Sequence, residues 1–542
     1  GLGFINILIN HKKIRNKFDV IEITVPAAVI IATDVFDYFL EKNKLDIVKL
    51  QSIDNDEEIL KKFQNAKKFP RDITEKLKEF LEINTEPLAV RSSSLLEDSQ
   101  FQPFAGVYNT YMIPNNHPDI KVRLAELLIA VKSVYASTFM RKVKDYMKAT
   151  SYSLEEEKMA VIIQRLVGSR HNERFYPDFA GVAKSFNFYP VPPQKSTDGI
   201  ALVALGLGKY VVDGGNTVRF CPKYPKHLLQ FFSTKETIRN AQQDFFALQL
   251  NGKPEERLNI DPESYVQKYE LVNAEEDQTL YSVGSTYSPE NDAVYDGISR
   301  QGNRVVTFAP ILKHKAFPLA EILDLLLDLG TWGMGVPVEI EFAVNLKAES
   351  GKTREFALLQ MRPFVISHEI EELNVDNIPL ENLICQSQQV LGNGAIKDIQ
   401  DIIYVDINKF DRSKSRIAAE EVSYFNSRLL HNKTPYLLIG VGRWGSLDPW
   451  LGIPVTWDQI AGAGVIVESG FKDLSVTPSQ GSHFFQNLTS FRVGYFTVNS
   501  LEHQGFIDWD WLSGCKTAEE LNFVRHIPVS YTHLTLPTKR IV

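Results

Sequence analysis

The chain has few cysteines, and the three that it has are scattered. Cys221, Cys385 and Cys515 are far apart in a sequence of 542 residues. This number and spacing predict neither a disulfide framework nor a zinc site. Because unpaired cysteines persist in reducing compartments, we expect a cytoplasmic protein.

Long apolar runs and long basic runs are also missing. No apolar stretch reaches the roughly 18 residues that a transmembrane helix requires. The longest one, residues 21–32, is interrupted by Pro26 and rich in β-branched residues, so it predicts buried strand structure. The net charge is −8 without a basic cluster, whereas nucleic-acid binding usually needs a cationic face. We therefore expect neither a membrane partner nor a nucleic-acid partner.

What is present is the composition of a folded protein with several cores. Hydrophobic residues make up 44% and charged residues 23%, and the length exceeds what one core usually supports. Helical and strand patterns alternate, which predicts an α+β or α/β multidomain protein. An acidic connector separates two parts of the chain that differ in their pattern of helices and strands. We therefore predict a first domain at 1–368 and a smaller α/β domain at 369–527. The composition of residues 528–542 predicts a non-native tail.

The segment from Ala89 to Thr110 has the composition of a polyphosphate-binding loop. Arg91 offers a planar guanidinium, and Ser92 begins a run of three serines. Gly106 lets the backbone approach a ligand closely. We predict a loop between a strand that ends at residue 90 and a following helix. An ordinary serine-rich loop has the same local composition.

A second candidate site lies in the segments VPVEIEFAVNL and REFALLQMRPF, which predict a β-hairpin. Glu339 and Glu341 are two residues apart and share one face of their strand, and Gln360 and Arg362 do the same on the next strand. Mg²⁺ prefers one or two carboxylates together with phosphate oxygens. A solvated cross-strand ion pair is the alternative interpretation. Charges on such apolar strands favour a functional site.

Two further segments are weak signals by themselves. Gln164 lies in the strand pattern MAVIIQRLV, which can offer backbone groups to an adenine but also fits a plain buried strand. The sequence GLGKYVVDGG contains Gly206 and Gly208 beside Lys209, and it fits neither the Walker A pattern nor GxGxxG.

In order along the chain, these motifs resemble the N-terminal nucleotide-binding domain of the pyruvate phosphate dikinase and phosphoenolpyruvate synthase family, an ATP-grasp fold. The matching motifs are VRSS, ED, FAG and Thr110, then the strand with Gln164, a second FAG, GLG, EIEF and LQMRP. Lys209 replaces an acidic residue of the family pattern. The family also has an N-terminal glycine-lysine motif that binds phosphate, so we expect an N-terminally truncated chain that begins just after that lysine.

The resemblance implies ATP and Mg²⁺ as cofactors and assigns roles to individual residues. Glu339 and Glu341 are implied to hold the metal. The residues implied to bind the nucleotide are Arg91, Ser92, Gly106, Thr110, Gln164, Gly206, Gly208, Gln360 and Arg362. Arg91 and Arg362 are also expected to act in catalysis by neutralising phosphate charge.

Members of the family pass the phosphoryl group to a histidine on a swivelling domain, and the best candidate in this sequence is His483. It follows Gly481 and Ser482 and precedes an apolar strand. A structural histidine is the alternative interpretation, because phenylalanines follow it where the family has small residues. A β/α barrel would need about 250 further residues of alternating pattern, which the sequence after residue 370 does not have.

The sequence therefore predicts an ATP-dependent kinase of the dikinase type. It would pass a phosphoryl group from Mg-ATP to His483 and then to an unknown acceptor, pyruvate or another small molecule. The alternative is a non-catalytic nucleotide-binding regulatory module. The sequence indicates no oligomeric state.

Overall fold

The structure is a computed structural model that describes most of the chain. The described residues are 2–11, 14–94, 97, 108–148, 157–251, 265–346, 353–363, 379–392, 396, 399–432, 434–446, 448, 450–471, 475–478, 483–491, 493–500, 505–528 and 540–541.

The fold is a mixture of helices and several sheets, as predicted for an α+β multidomain protein. The α-helices are Leu2–His11, Thr33–Asn43, Ile47–Gln51, Asp56–Gln64, Arg71–Ile83, Ile120–Ser137, Arg141–Lys148, Lys209–Val212, Thr234–Asn240, Leu271–Glu276, Ala309–Leu312, Leu319–Met334, Ser415–His431, His483–Ser490 and Trp509–Gly514. None of the helices in the described ranges is long and apolar enough to cross a bilayer.

The strands before residue 364 form four sheets. They are β1 (Ile21–Thr24), β2 (Ala28–Ile31), β3 (Leu88–Ser94), β4 (Tyr111–Ile113), β5 (Met159–Arg165), β6 (Ser169–His171), β7 (Arg174–Tyr176), β8 (Phe179–Lys184), β9 (Ile200–Leu205), β10 (Val218–Phe220), β11 (Asp244–Gln249), β12 (Val266–Glu270), β13 (Gly284–Ser288), β14 (Ala293–Asp296), β15 (Asn303–Val306), β16 (Val338–Asn345) and β17 (Arg354–Pro363). The two sheets that matter most are a six-stranded one, ordered β1-β17-β16-β8-β9-β10, and a four-stranded one, ordered β2-β5-β3-β4.

The predicted hairpin is confirmed in the six-stranded sheet. Strands β16 and β17 pair antiparallel, with Glu339 opposite Arg362 and Glu341 opposite Gln360. A bulge follows Glu341, so Leu359 is an extra residue on β17. Because directly opposite residues share a face, and residues two apart on a strand do so too, the four polar side chains lie on one face of the sheet.

The predicted loop around Arg91 is wrong in its first part. Residues 91–94 belong to β3, which pairs antiparallel with β5 from Leu88 to Ser94. Pairing with a strand about 70 residues later along the chain satisfies the backbone of the serines, and the local composition did not indicate that partner. Residues 98–107, with the expected Gly106, lie outside the described residues.

The segment after β4 forms two helices, Ile120–Ser137 and Arg141–Lys148. Near the break the hydroxyl of Ser137 donates to the carbonyl of Val134, and Phe139 is buried beside Phe63 with ring centroids 5.6 Å apart. The second helix begins where the Arg141 amide donates to the Asp56 carboxylate at 2.7 Å. Burial of Phe139 and the new cap explain the interruption.

Helices cover one face of the four-stranded sheet, and the other face turns toward the six-stranded sheet. Val90 and Ile163 pack in a core with Phe36 and Leu127 on the helical side. Ala89, one residue from Val90, belongs instead to the core of the six-stranded sheet. The alternation of a strand thus sends successive residues of β3 to different layers.

Beyond residue 379 the strands are β18 (Leu383–Ser387), β19 (Gln389–Leu391), β20 (Asp401–Val405), β21 (Tyr436–Val441), β22 (Arg443–Trp444), β23 (Gly452–Ile453), β24 (Ala463–Ser469), β25 (Gly494–Val498), β26 (Gly505–Ile507), β27 (Glu519–Glu520), β28 (Val524–Pro528) and β29 (Arg540–Ile541). Seven of them form one sheet, ordered β19-β25-β24-β21-β20-β28-β27, with parallel pairing from β20 to β25. The helix Ser415–His431 packs on it. Pro528, the first residue of the predicted tail, is the last residue of β28, and β29 pairs with β18.

Candidate functional site

Glu339 is the centre of a buried cluster of charges on the six-stranded sheet. Its side chain is 2% exposed, and Arg362 donates to it from Nε at 2.9 Å and from Nη2 at 2.5 Å. Lys184, directly opposite on β8, lies 2.8 Å from its second oxygen. Burial alone would raise the pKa of Glu339, but the charges of Arg362 and Lys184 hold it well below its ordinary value. The carboxylate is therefore ionised and fully paired.

Arg91 brings the four-stranded sheet into this cluster. Its Nη2 donates to Gln360 Oε1 at 2.6 Å and to Glu341 Oε2 at 3.2 Å. Arg362 Nη2 lies 3.8 Å from the other oxygen of Glu341. Five predicted site residues, Arg91, Glu339, Glu341, Gln360 and Arg362, are thus brought together. We call these five residues and Lys184 the ionic cluster.

The ionic cluster carries more positive than negative charge. Its cations are Arg91, Arg362 and Lys184, and its carboxylates are those of Glu339 and Glu341. The pKa of Arg362, which burial alone would lower, is raised above its ordinary value by Glu339 and Glu341 and also by Glu97, a third carboxylate whose charge acts on it. Three cations brought together in a largely buried cluster favour a polyanionic ligand.

Sequence reasoning missed Lys184, whose side chain is 4% exposed. The available signal was a lysine at the end of the apolar strand FAGVAK, where a charge needs a partner. Its partner is on β16, more than 150 residues later, and only the register of β8 against β16 shows the pair.

Gln164 lies on the same face of the four-stranded sheet as Arg91. It is opposite Ala89 in the pairing of β3 and β5, and Ala89 and Arg91 are two residues apart. The Gln164 side chain is buried, and its amide Nε2 has no hydrogen-bond partner among the described residues. A buried donor of this kind is costly unless a ligand completes it.

Small side chains lie beside the ionic cluster on the six-stranded sheet. Val167, Ala180, Ala343 and Ala357 form a buried apolar patch with Leu359 at its edge. Ala180 is two residues from Val182, which pairs with Glu341, so this patch and the cluster share a face. A Cβ added at Gly208 would come 3.6 Å from Ala180, which places Gly208 beside the patch.

Gly206 has a backbone reason to be glycine. Its φ is +81°, in the left-handed region, and an added Cβ would come 2.7 Å from the carbonyl oxygen of Phe246. The turn after β9 therefore requires glycine at this position, whatever it binds.

Two other predicted residues are not part of the ionic cluster. Ser92 points to the opposite face of β3 from Arg91, and its hydroxyl donates to Glu97 at 3.2 Å. Thr110 is exposed just before β4.

His483 is the first residue of the helix His483–Ser490. Phe485, two residues later, is buried and its ring centroid lies 5.5 Å from the Lys184 ammonium. The same ring packs on Phe188 at 5.4 Å and on Tyr495 at 6.1 Å. The helix that carries the predicted histidine therefore begins close to the ionic cluster.

The donor set of the ionic cluster fits Mg²⁺ only in combination with a ligand that brings its own oxygens. The described residues contain no group of three or more His, Cys, Asp or Glu side chains that could hold a metal alone. Glu341, 16% exposed, and Glu339 are the residues that would hold the ion. Two carboxylates completed by phosphate and water oxygens are the combination that Mg²⁺ prefers.

The sequence profile of the family described as "Pyruvate phosphate dikinase, AMP/ATP-binding domain" matches residues 9–380. This chain belongs to that family. This match confirms the predicted family. The matched range contains both sheets and the whole ionic cluster. The same range includes Gln164 and the patch around Ala180.

Two proteins that resemble the chain have names in keeping with this family. A Bacillus subtilis protein named uncharacterized phosphotransferase YvkC is 34% identical over 132 residues, which are 24% of this chain and 14% of that protein. Phosphoenolpyruvate synthase of Aeropyrum pernix is 30% identical over 128 residues, 23% of this chain and 13% of that enzyme. The matches thus span a small part of each relative.

Proposed function

We propose that the chain binds Mg-ATP between the two sheets, in an ATP-grasp arrangement, and acts as a phosphotransferase. The observation that carries the proposal is the contact of Arg91, on one sheet, with Glu341 and Gln360 on the other. The Arg91 guanidinium, held between two sheets, can bind phosphate oxygens, and the carboxylates beside it can bind a metal ion at the same place. The family description, an AMP/ATP-binding domain, supports an adenine nucleotide as the ligand.

The proposed orientation of the nucleotide follows from polarity. The apolar patch around Ala180 and the uncompleted amide of Gln164 suit a purine ring, which is flat and has hydrogen-bonding edges. The cations Arg91, Arg362 and Lys184 suit the phosphates. Gly206, Gly208 and Thr110 stay predicted contacts, and Ser92 is a weaker one because it faces the other layer.

In the proposed reaction the arginines and Lys184 neutralise the phosphate oxygens. They also hold the triphosphate of ATP in line with the acceptor His483. Bound Mg²⁺ adds charge neutralisation at the same oxygens. A ring nitrogen of His483 forms the new bond to the β phosphorus, and the bond from that phosphorus to the α phosphate oxygen breaks with its electron pair on the departing AMP. Water then removes the γ phosphate, so that the β phosphate stays on the histidine. Contact of Phe485 with Lys184 supports His483 as the acceptor.

The second acceptor is proposed to be pyruvate or another small molecule. The support for pyruvate is the name of one relative, phosphoenolpyruvate synthase, which matches over only 23% of this chain. The division into 1–368, 369–527 and a tail, the swivelling role of the second domain and the cytoplasmic location are proposals of the same kind.

A non-catalytic nucleotide-binding regulatory module is the second candidate. One observation favours it: both oxygens of Glu339 already have cationic partners in the protein alone. A cluster that is complete without a metal could respond to a nucleotide without transferring phosphate.

The two candidates differ in what ATP leaves on the protein. We would incubate full-length protein with ATP labelled at the β or the γ phosphate and measure acid-labile label on the chain. The dikinase proposal predicts retained β label that is lost in His483→Ala and kept in His431→Ala, a control at the exposed end of another helix. Intact ATP binding without any label would instead support the regulatory module.

A further inference from the structure

A second group of cations lies on the same face of the six-stranded sheet. Arg219 on β10 and Arg443 on β22 line one cavity together with Thr217, Thr477 and the loop of residues 214–216. We call this set the arginine pocket. It joins the two main parts of the chain, since β10 belongs to the six-stranded sheet and β22 follows a strand of the seven-stranded sheet.

Strand register places the pocket relative to the ionic cluster. Arg219 is opposite Leu202, Leu202 is opposite Val182, and Val182 is opposite Glu341. Directly paired residues share a face, so Arg219 and Glu341 point the same way. Three strand spacings separate them, about 14 Å. The pocket is therefore on the face of the proposed nucleotide site but outside it.

The Arg219 guanidinium has no hydrogen-bond or ion-pair partner among the described residues, although its surroundings are well ordered by other contacts. Its backbone amide donates to Gln230 Oε1 at 3.0 Å, and Gln230 Nε2 donates to the carbonyl of Thr217 at 2.9 Å. Both ends of the Gln230 side-chain amide are therefore hydrogen-bonded to backbone groups at β10, and not to the Arg219 guanidinium. The charged group of Arg219 is left facing the cavity.

Arg443 is held by neutral groups. Its Nε donates to the carbonyl of Thr477 at 2.9 Å, and its Nη2 donates to the hydroxyl of the same residue. Two acids, Glu468 and Asp448, act on its charge from outside the cavity. The Glu468 carboxylate accepts from the Trp444 amide at 2.9 Å and from the Tyr495 hydroxyl at 2.5 Å. In the described part of the chain, no aspartate or glutamate lines the pocket.

The two arginines disfavour each other. Burial, and then the charge of Arg443, lower the pKa of Arg219 to about 10, and burial lowers the pKa of Arg443 as well. Like charges in a partly desolvated cavity raise the free energy of the protein alone. An anion between them would reverse this effect, and two arginines that converge on one point are the arrangement that binds phosphate oxygens best.

We propose that the arginine pocket binds one small phosphate-type dianion and that this anion links the six-stranded sheet to the C-terminal sheet. The pocket encloses about 40 Å³. That is several times the roughly 10–15 Å³ needed by one water molecule and too little for a nucleotide. The ligand is thus either inorganic phosphate or the phosphate group of a small monoester that projects out of the cavity.

Calorimetric titration of the full chain with inorganic phosphate, without nucleotide, tests the proposal. We expect one binding site, and at least a tenfold loss of affinity in Arg219→Gln and in Arg443→Gln. Arg304→Gln is the matched control. Arg304 lies on β15 of a separate sheet and is already paired with Glu275. Titration with methyl phosphate distinguishes the sources: equal or tighter binding supports a monoester, and binding of inorganic phosphate alone supports the free ion.

Unchanged phosphate affinity in Arg219→Gln, or no phosphate binding by the unaltered chain, would overturn the proposal. ATP affinity measured in the same Arg219→Gln protein should stay unchanged, which shows that the variant is folded. That readout also separates this site from the proposed nucleotide site, so either one can fail alone. If Arg443→Gln unfolds because Thr477 loses its partner, Arg219→Gln still decides the outcome.

Discussion

Two groups of arginines share one face of the six-stranded sheet, and they differ in what balances their charge. In the ionic cluster, Arg362 is paired with Glu339, and Arg91 contacts Glu341. In the arginine pocket no carboxylate among the described residues lines the cavity, although Glu468 and Asp448 act on the charge of Arg443 from outside it. Each arginine of the first group has a carboxylate partner within the protein. The second group needs an anion that the protein does not supply.

Buried charge therefore has two different energetic consequences in this fold. A buried ion pair that loses one member leaves an unpaired charge, so the ionic cluster should be sensitive to single substitutions. A cation that already lacks a partner can be removed at little cost. Substitutions should therefore lower stability at the ionic cluster and leave it nearly unchanged at the arginine pocket, whereas ligand binding should fall at both.

The largest effect is expected from Glu339→Gln. It leaves the buried Lys184 and Arg362 without their common partner, and we expect the free energy of unfolding to fall by about 3–5 kcal/mol. Arg219→Met should change it by less than about 0.5 kcal/mol, because no pair is broken. Urea denaturation of both variants measures the contrast, and equal losses would remove the distinction between the two groups.

Arg91→Gln should weaken ATP binding by a factor of ten or more. The substitution removes the cation that reaches from β3 to Glu341 and Gln360, and hydrogen bonds to charged groups are worth about 1.5–3 kcal/mol. Arg304→Gln is again the control, since the two side chains are similarly exposed, 22% and 20%. If calorimetry gave both variants the same ATP affinity, the ionic cluster would not be the phosphate site.

The dependence of stability on pH should reveal the low pKa of Glu339. Its folded-state pKa lies below the ordinary value of 4.5, so its stabilising effect is complete above about pH 5 and declines as the pH falls below 4.5. The unaltered chain should lose about 1.4 kcal/mol more per pH unit in that range than Glu339→Gln. Parallel curves for the two proteins, from denaturation at pH 3.5–6, would mean that this carboxylate is not paired.

The smallest effect at the proposed nucleotide site is expected from Gln164→Leu. Removing a buried donor that has no protein partner should not lower stability, but it should reduce ATP affinity by about 1 kcal/mol, roughly fivefold. Parallel measurements of thermal unfolding and of ATP binding check both parts. A loss of stability with unchanged ATP affinity would assign Gln164 a purely structural role.

Local periodicity predicted much of the ionic cluster. Alternation along a strand determines that Glu339 and Glu341 share a face, and a short connection favours antiparallel pairing with Gln360 and Arg362. These features are local in sequence, so the sequence was sufficient to predict them.

Contacts between distant segments could not be predicted in this way. Lys184 is paired with Glu339 through the order of strands in a sheet. Arg219 lines one cavity with Arg443 through the position of the C-terminal sheet. The serines after Arg91 became a strand for the same reason, because β5 supplied their backbone partners. In each case the deciding partner is remote in the chain.

If the hairpin of β16 and β17 binds Mg-ATP, Glu341 is the residue whose loss should show it. The measurement is ATP affinity with and without Mg²⁺ in the unaltered chain and in Glu341→Gln. We expect Mg²⁺ to strengthen ATP binding in the unaltered chain and to have little effect in Glu341→Gln, since the more exposed carboxylate is lost. The same Mg²⁺ dependence in both proteins would contradict the claim.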